Sequence, residues 1–229
     1  MSKNFKYIPL HFVYDVKSDG TRKARLVARG NVIKSPLYSN VVKTESVRTL
    51  MTLAAKLKLQ VITGDVGGAY LNAPCAEMVW THPLDEYGLP IKDTEYVYVI
   101  LRYLYGLNSG ASSWWIHFAS TLRDLGFTSS TADDNVWIKP RYNDQRKLCG
   151  YDYMIVHVDD FMILVKDAES YMVKLQQRYK IDYIVLNCLP WDGYTSHAAW
   201  KTRVFTLRTH IPSASTIHGA YTLRLRHTR

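Results

Sequence analysis

The run YMIVHVDDFMIL at residues 153–164 constrains the fold more than any other stretch, because it sets two adjacent carboxylates among apolar residues. Strand-forming residues on either side predict strands at 151–158 and 161–165 that pair across Asp159 and Asp160. Aspartate is common in tight hairpin loops, where it tolerates unusual backbone angles and accepts hydrogen bonds from nearby N–H groups. Taken alone, the pair indicates a turn. A metal site is the better interpretation if a further carboxylate faces the hairpin tip.

The candidate for that further carboxylate is Asp65 in GDVGGAYLNAP (64–74), which follows a short apolar strand predicted at 59–63. Asp65 could instead cap a following helix, and the residues alone leave this alternative open. Carboxylates from different strands can also hold two metal ions about 3.5–4 Å apart, the arrangement used in phosphoryl transfer. Magnesium suits such a site because it takes a few carboxylates and keeps phosphates and waters as its other ligands.

The other patterns predict a mixture of hairpins and helices. Further strands are predicted at 5–16, 23–30, 96–101 and 135–139. Helices are predicted at 45–58, 111–125 and 168–180, the first capped by Thr44 or Ser46 and the second ended by Gly126. TADDN (131–135) is predicted to be a loop. Because strands and helices do not alternate as regular βαβ units, the predicted fold class is α+β.

Charge is unevenly distributed along the chain. Residues 1–60 carry 12 Lys and Arg against 3 Asp and Glu, whereas residues 61–180 carry 11 against 15. A basic segment attracts phosphate and an acidic centre attracts cations. The distribution therefore favours a polyanionic partner combined with a metal-assisted site.

Other features narrow the cellular context. No apolar run reaches the length of a membrane-spanning helix, and the first residues lack the pattern of a secretory signal, so we expect neither a membrane partner nor secretion. The three cysteines are far apart and form no CxxC motif, which argues against a disulfide framework or a zinc site. We expect an intracellular protein, cytoplasmic or nuclear.

Five segments in a fixed order carry a family resemblance. KARLVARG (23–30) followed by SVRTLMTLAA (46–55), then DVGGAYLNA (65–73), LYGLNSGASSWW (104–115) and HVDD (157–160), resembles the reverse transcriptase of copia-type retrotransposons. The likeness spans roughly residues 5–180. It implies a right-hand polymerase with fingers and palm subdomains in residues 1–180. It also implies DNA synthesis from dNTPs on a primed RNA or DNA template with two magnesium ions.

The resemblance also implies residue roles at the metal site. Asp65 and Asp159 would be the metal-binding carboxylates, and Asp160 their catalytic neighbour. The Val66 carbonyl would help to hold a metal beside the nucleotide. Tyr70 would stack under the incoming sugar and exclude a 2′-hydroxyl, although a tyrosine here could equally pack in the core.

Further nucleotide contacts are implied outside the carboxylates. Lys23, Arg25 and Arg29 would meet the triphosphate or the template from a strand whose other face is buried; a solvated strand face is the alternative. Ser109 and Gly110 would contact the base or the template. The position of His157 more often holds Tyr in the family, and the histidine is expected to be only a hairpin side chain. Trp114 and its neighbouring tryptophan are expected in the core.

Residues 181–229 depart from the family pattern. They lack the turn and strand that help to grip the primer, so we expect a thumb that is absent or incomplete and a basic tail that is disordered or frame-shifted in a truncated element. The alternative function is a catalytically inactive remnant with at most non-specific nucleic-acid binding. An unrelated α+β protein with a turn Asp pair is the third alternative.

Overall fold

The computed structural model describes residues 5–16, 20–29 and 41–186. Within these ranges the chain is mixed α+β, as predicted. The elements are β1 (Lys6–Tyr7), β2 (Leu10–Val16), β3 (Arg22–Ala28), α1 (Thr44–Leu57), β4 (Gln60–Val66), α2 (Ala69–Asn72), β5 (Val79–Thr81), β6 (Tyr98–Val99), α3 (Gly110–Asp124), β7 (Thr128–Ser129), β8 (Val136–Tyr142), β9 (Leu148–His157), β10 (Asp160–Val165), α4 (Ala168–Gln176) and β11 (Ile181–Leu186).

The chain divides into two compact units. The described residues of the first unit are 5–16, 20–29 and 75–108, and those of the second are 41–74 and 109–186. No helix in these ranges is long and apolar enough to cross a bilayer.

A six-stranded sheet forms the centre of the second unit. Its strand order is β11-β4-β10-β9-β8-β7, and every neighbouring pair is antiparallel. Strands β4 and β10 are therefore neighbours inside the sheet. From Phe161 to Val165 every residue of β10 is buried, which explains why the sequence there is continuously apolar rather than alternating.

Helix α3 packs on this sheet through an apolar stripe. Trp114, Phe118 and Leu122 recur at intervals of four and are at most 2% exposed. The Phe118 ring lies 6.4 Å from the ring of Phe161 on β10. The helix ends at Asp124, and Gly126, which we predicted would stop it, follows with a φ of 88° that suits glycine best.

Helix α1 is capped by a distant loop rather than by its own sequence. We expected Thr44 or Ser46 as the cap, but the N-cap residue is Lys43 and its side chain makes no capping hydrogen bond. Instead, the Asp133 carboxylate accepts hydrogen bonds from the Lys43 N–H (2.9 Å) and the Ser46 hydroxyl (2.6 Å). Asp133 lies in the TADDN loop, so the loop prediction is confirmed. The cap prediction is wrong because a tertiary contact replaces the local one.

The first unit contains a three-stranded sheet, β1-β5-β6, and the hairpin β2-β3. The strand predicted at 5–16 is interrupted at Ile8 and Pro9, and its two parts join different sheets. Proline has no N–H to offer a ladder, which accounts for the break. The strand predicted at 96–101 is reduced to β6.

The hairpin β2-β3 does not bury one face as we predicted. Of β3 only Ala28 is buried, whereas Ala24 is exposed and Lys23 and Arg25 are half-buried. The predicted alternation is therefore wrong over most of this strand. A two-stranded ribbon with little packed against it leaves both faces accessible to water.

The sheet continues beyond the boundary that we expected after Lys180. Strand β11 pairs with β4 from Ile181 opposite Val66 to Leu186 opposite Val61. Helix α4 ends at Gln176 rather than at 180, and the residues between it and β11 form the connection. The expected basic tail from residue 187 onward lies outside the described residues.

Candidate metal centre

Three carboxylates converge at one end of the sheet. One oxygen each from Asp65, Asp159 and Asp160 lies within 4.8 Å of the other two, and all three residues are half-buried. This is the one group of at least three potential metal-ligating side chains found in the part of the chain that the structure describes. We call these three residues the carboxylate cluster.

The antiparallel sheet explains why residues almost a hundred positions apart meet. Asp65 and Asp160 are Cα partners on β4 and β10, so their side chains emerge on the same face. Asp159 lies in the two-residue loop between β9 and β10, where its carbonyl accepts a hydrogen bond of 2.9 Å from the Val66 N–H. The loop is thereby fastened to the strand that carries Asp65.

The backbone around Asp65 places its carboxylate in the cluster and not at the N-terminus of helix α2. Asp65 lies within β4, and the N-cap of α2 is Gly68, so Asp65 does not occupy the capping position left open by the sequence. Gly68 has φ 61° and turns the chain directly into the helix. The Gly67 N–H donates to the Lys180 carbonyl at 2.8 Å, which holds this turn against the start of β11.

Tyr70 lies on α2 within the electrostatic field of the cluster. Burial raises the pKa of the Tyr70 phenol, and the negative charge of Asp159 raises that pKa further. The raised pKa keeps the phenol neutral at pH 7, so its hydroxyl keeps a proton to donate. Val66, beside Asp65 in the chain, is 1% exposed, so only its backbone could contribute to a site.

Ser109 and Gly110 stand at the start of α3 and are both buried. The Ser109 carbonyl accepts hydrogen bonds from the Ser113 N–H (2.9 Å) and the Ser112 hydroxyl (3.0 Å), as the first turn of a helix requires. Their expected contact with a base or template stays a prediction, and the burial of the Ser109 side chain does not favour it.

The basic residues implied by the resemblance lie in the first unit. Lys23 and Arg25 are on β3, and one guanidinium nitrogen of Arg25 lies 3.9 Å from an Asp15 carboxylate oxygen. Arg29 follows the strand and is exposed. Their contact with triphosphate or template stays a prediction.

Sequence reasoning missed a role for Trp114. We assigned it to the core, and it is indeed 1% exposed, but its indole Nε1–H also donates a hydrogen bond of 2.6 Å to the Val158 carbonyl in the cluster's loop. A buried tryptophan needs a partner for this N–H, and the sequence cannot show which carbonyl provides it. Only the position of Trp114 in the LYGLNSGASSWW segment hinted at more than packing.

The chemistry of the cluster fits a hard divalent cation. All three side chains offer carboxylate oxygens, the ligand type that Mg²⁺ prefers. Three neighbouring negative charges repel one another, and a bound cation would relieve this repulsion. The residues present therefore suit a magnesium-type site.

Comparison with known proteins gives a consistent family. A family model described as "Reverse transcriptase (RNA-dependent DNA polymerase)" matches residues 1–187. The retrovirus-related Pol polyprotein from transposon TNT 1-94 of Nicotiana tabacum is 28% identical over 177 residues, which are 73% of this chain and 13% of that protein. The corresponding polyprotein from transposon RE1 of Arabidopsis thaliana is 28% identical over 182 residues, 74% of this chain and 12% of that protein.

A yeast transposon supplies a similar relative. The transposon Ty1-BR Gag-Pol polyprotein of Saccharomyces cerevisiae is 28% identical over 195 residues, 81% of this chain but 10% of that protein. The chain thus spans about a tenth of the length of these relatives. The family model covers well over half of the chain, and the carboxylate cluster lies inside the match. The chain therefore belongs to the reverse transcriptase family, in the copia-type lineage that its motifs resemble.

Proposed function

We propose that this chain carries the catalytic core of an RNA-directed DNA polymerase from a retrotransposon polyprotein. The reaction is the transfer of a nucleotide from a dNTP to the 3′-hydroxyl of a primer paired with an RNA or DNA template. The observation that carries the proposal is the convergence of Asp65 and Asp160, on neighbouring strands, with Asp159 in the adjoining hairpin loop. Membership of the reverse transcriptase family supports the same reaction.

Asp65, Asp159 and the Val66 carbonyl would hold two magnesium ions, with Asp160 beside them. When bound, the ions lower the pKa of the attacking hydroxyl and neutralise charge on the triphosphate and the leaving group. The protein's part is to present the carboxylates already oriented. The pairing of β4 with β10 fixes Asp65 against Asp160, and the Val66 N–H fixes the backbone of Asp159.

The remaining residues are proposed to bind and select the substrates. Tyr70 would lie under the sugar of the dNTP, where its ring would clash with a 2′-hydroxyl. Lys23, Arg25 and Arg29 would bind phosphate, and the backbone at Ser109 and Gly110 would approach the base or template. In this proposal the second unit corresponds to the palm of a right-hand polymerase and the first unit to the fingers.

A primer-extension assay tests the proposal. The full chain is incubated with a DNA primer on an RNA template, dNTPs and Mg²⁺, beside the variants Asp65→Asn and Asp159→Asn. Each variant keeps the side-chain shape but removes a ligand charge, so we expect a loss of extension of at least about 10²-fold. Asp144→Asn serves as the control, because Asp144 is exposed and lies outside the cluster.

The same assay separates the enzyme from the alternative of an inactive remnant. The remnant is supported by the net charge of +9, which suffices for non-specific nucleic-acid binding. Salt-sensitive binding of primer-template without extension by the unsubstituted chain would favour the remnant. Extension that survives in both Asp→Asn variants would contradict the proposed site.

A further inference from the structure

The loop that carries Asp159 has a backbone that its sequence disfavours. His157 and Asp160 are Cα partners, so Val158 and Asp159 are the whole loop of the β9-β10 hairpin. Val158 has φ 59°, and Asp159 is not among the residues with positive φ. Of the two turns favoured in two-residue hairpin loops, type II′ is the one with positive φ at the first loop residue alone, and glycine dominates that position. A β-branched valine is strained there.

A second hairpin turn is open to the same two residues. Type I′ also begins with positive φ, but it requires positive φ at the second residue as well. The two turns differ mainly by a rotation of the peptide group between Val158 and Asp159. A group that holds the Val158 carbonyl therefore selects one turn and sets the backbone from which the Asp159 side chain emerges.

Trp114 is that group. Its indole Nε1–H donates to the Val158 carbonyl at 2.6 Å. The indole is itself held by packing, since it stacks on Phe118 with centroids 5.1 Å apart and meets the edge of Tyr179 at 5.6 Å. The next carbonyl, that of Asp159, accepts from the Val66 N–H on β4. Two successive carbonyls of the loop are thus fixed by two different elements.

We propose that Trp114 is a positioning residue that selects the type II′ turn and so aims the Asp159 carboxylate at Asp65 and Asp160. A role for Trp114 in catalysis rests on the proposed function. Its effect on metal affinity can be measured without that function. Without the indole N–H, the loop exchanges between the two turns. In type I′ the changed φ of Asp159 turns its Cα–Cβ bond away from the other two carboxylates.

The test measures Mn²⁺ binding to the full chain by electron paramagnetic resonance, with Trp114→Phe as the variant. Phenylalanine keeps the aromatic packing and removes the donor. We expect Mn²⁺ binding about 10-fold weaker, the lower end of the effect of losing a group that orients a metal ligand. Trp115→Phe is the matched control, because its indole on the same helix donates to the Asn135 side chain at 3.0 Å and not to the loop. The control should keep the affinity of the unsubstituted chain.

A rescue separates positioning from a general structural effect. Val158→Gly places at the first loop position the residue that type II′ prefers. In the Trp114→Phe background it should restore most of the lost Mn²⁺ affinity. Circular dichroism and thermal unfolding show whether Trp114→Phe folds. If it does not, the nitrogen-15 spectrum of the unsubstituted chain tests the role of Trp114 instead. The Trp114 indole resonance should then shift on addition of Mg²⁺ while that of Trp115 stays in place.

Several results would overturn the inference. In the Mn²⁺ measurements these are no binding by the unsubstituted chain, unchanged affinity in a folded Trp114→Phe chain, or equal weakening by Trp115→Phe. Failure of Val158→Gly to restore affinity, or a Trp114 indole resonance that does not move with Mg²⁺, would also overturn it. The polymerase proposal fails separately. If Mn²⁺ binding depends on Trp114 as described but no primer is extended, the positioning role stands and the polymerase activity does not.

Discussion

Gly64 precedes Asp65 and leaves room for one aromatic ring. A Cβ built on Gly64 would collide with the ring of Phe161, which follows Asp160 on the neighbouring strand. Gly64→Ala must therefore displace Phe161 from its packing against Phe118. We expect the free energy of unfolding to fall by about 1–3 kcal/mol, the usual effect of overpacking a core. Urea unfolding at pH 7 measures it.

Gly67→Ala provides the comparison for that prediction. The nearest atom to a Cβ on Gly67 is the Lys180 carbonyl oxygen at 3.4 Å, an ordinary contact, and the residue has no positive φ. Its stability should change by less than about 0.5 kcal/mol, as for most accessible positions. Equal losses in the two variants would show that the ring of Phe161 does not require glycine at position 64.

At the residue scale, the sequence predicted the members of the carboxylate cluster but not what holds them. Asp65, Asp159 and Asp160 could be found because acidic residues within apolar strands stand out, and because their order resembles a known family. The contact of Trp114 with the loop could not be found. A buried tryptophan that only packs has the same sequence pattern as one that also donates a hydrogen bond to a particular carbonyl. Here the accepting carbonyl belongs to a residue 44 positions away.

At the element scale, the capping of α1 predicts a pH-dependent stability. Burial alone would raise the pKa of the Asp133 carboxyl, but hydrogen bonds from Ser46, Lys43 and Asn135 outweigh it and lower that pKa. A depressed pKa in the folded state means that Asp133 stabilises the fold above the pKa of an unfolded aspartate, near 3.9. This stabilisation is lost as the pH falls below that value.

Asp133→Asn tests this dependence. The variant should lower the free energy of unfolding by about 1 kcal/mol at pH 7, the usual effect of losing a cap. The difference from the unsubstituted chain should shrink as urea unfolding is repeated toward pH 3. Asp134→Asn, at the exposed neighbouring position, should have little effect at either pH. A difference for Asp133→Asn that stays constant with pH would contradict the role of its charge.

Periodicity predicted most elements, and the exceptions have physical reasons. The three longest helices and the β9-β10 hairpin were found because their own side chains carry the pattern. The strand at 5–16 was predicted whole although Pro9 divides it, because strand-forming residues lie on both sides. The cap of α1 was misplaced because local signals favoured Thr44 or Ser46, whereas Asp133 makes the bond from 87 positions away.

At the scale of the whole molecule, the family match and the central sheet extend to nearly the same residue. The family model matches residues 1–187, and β11 extends the sheet to Leu186. The sequence suggested a boundary after Lys180 because the family's turn and strand pattern is missing from that point. Backbone pairing does not depend on that pattern: an edge strand needs only an extended chain with free N–H and C=O groups.

Two truncated chains distinguish these boundaries. A chain ending at Leu186 keeps β11, whereas a chain ending at Lys180 removes it and leaves β4, the strand that bears Asp65, at the edge of the sheet. Without β11 the side of β4 that faces away from β10 loses its backbone partners, and Ile181 no longer covers its part of the core. The shorter chain should unfold at a lower urea concentration and bind Mn²⁺ more weakly.

Because both chains lack residues 187–229, that tail cannot account for a difference between them. The chain that keeps the six residues of β11 should unfold in one cooperative transition, monitored by circular dichroism. The chain that lacks them should unfold over a broader range of urea concentration. Equal unfolding midpoints and equal Mn²⁺ affinities in the two chains would place the structural boundary at Lys180 after all. A difference would show that β11 supports the strand that positions Asp65.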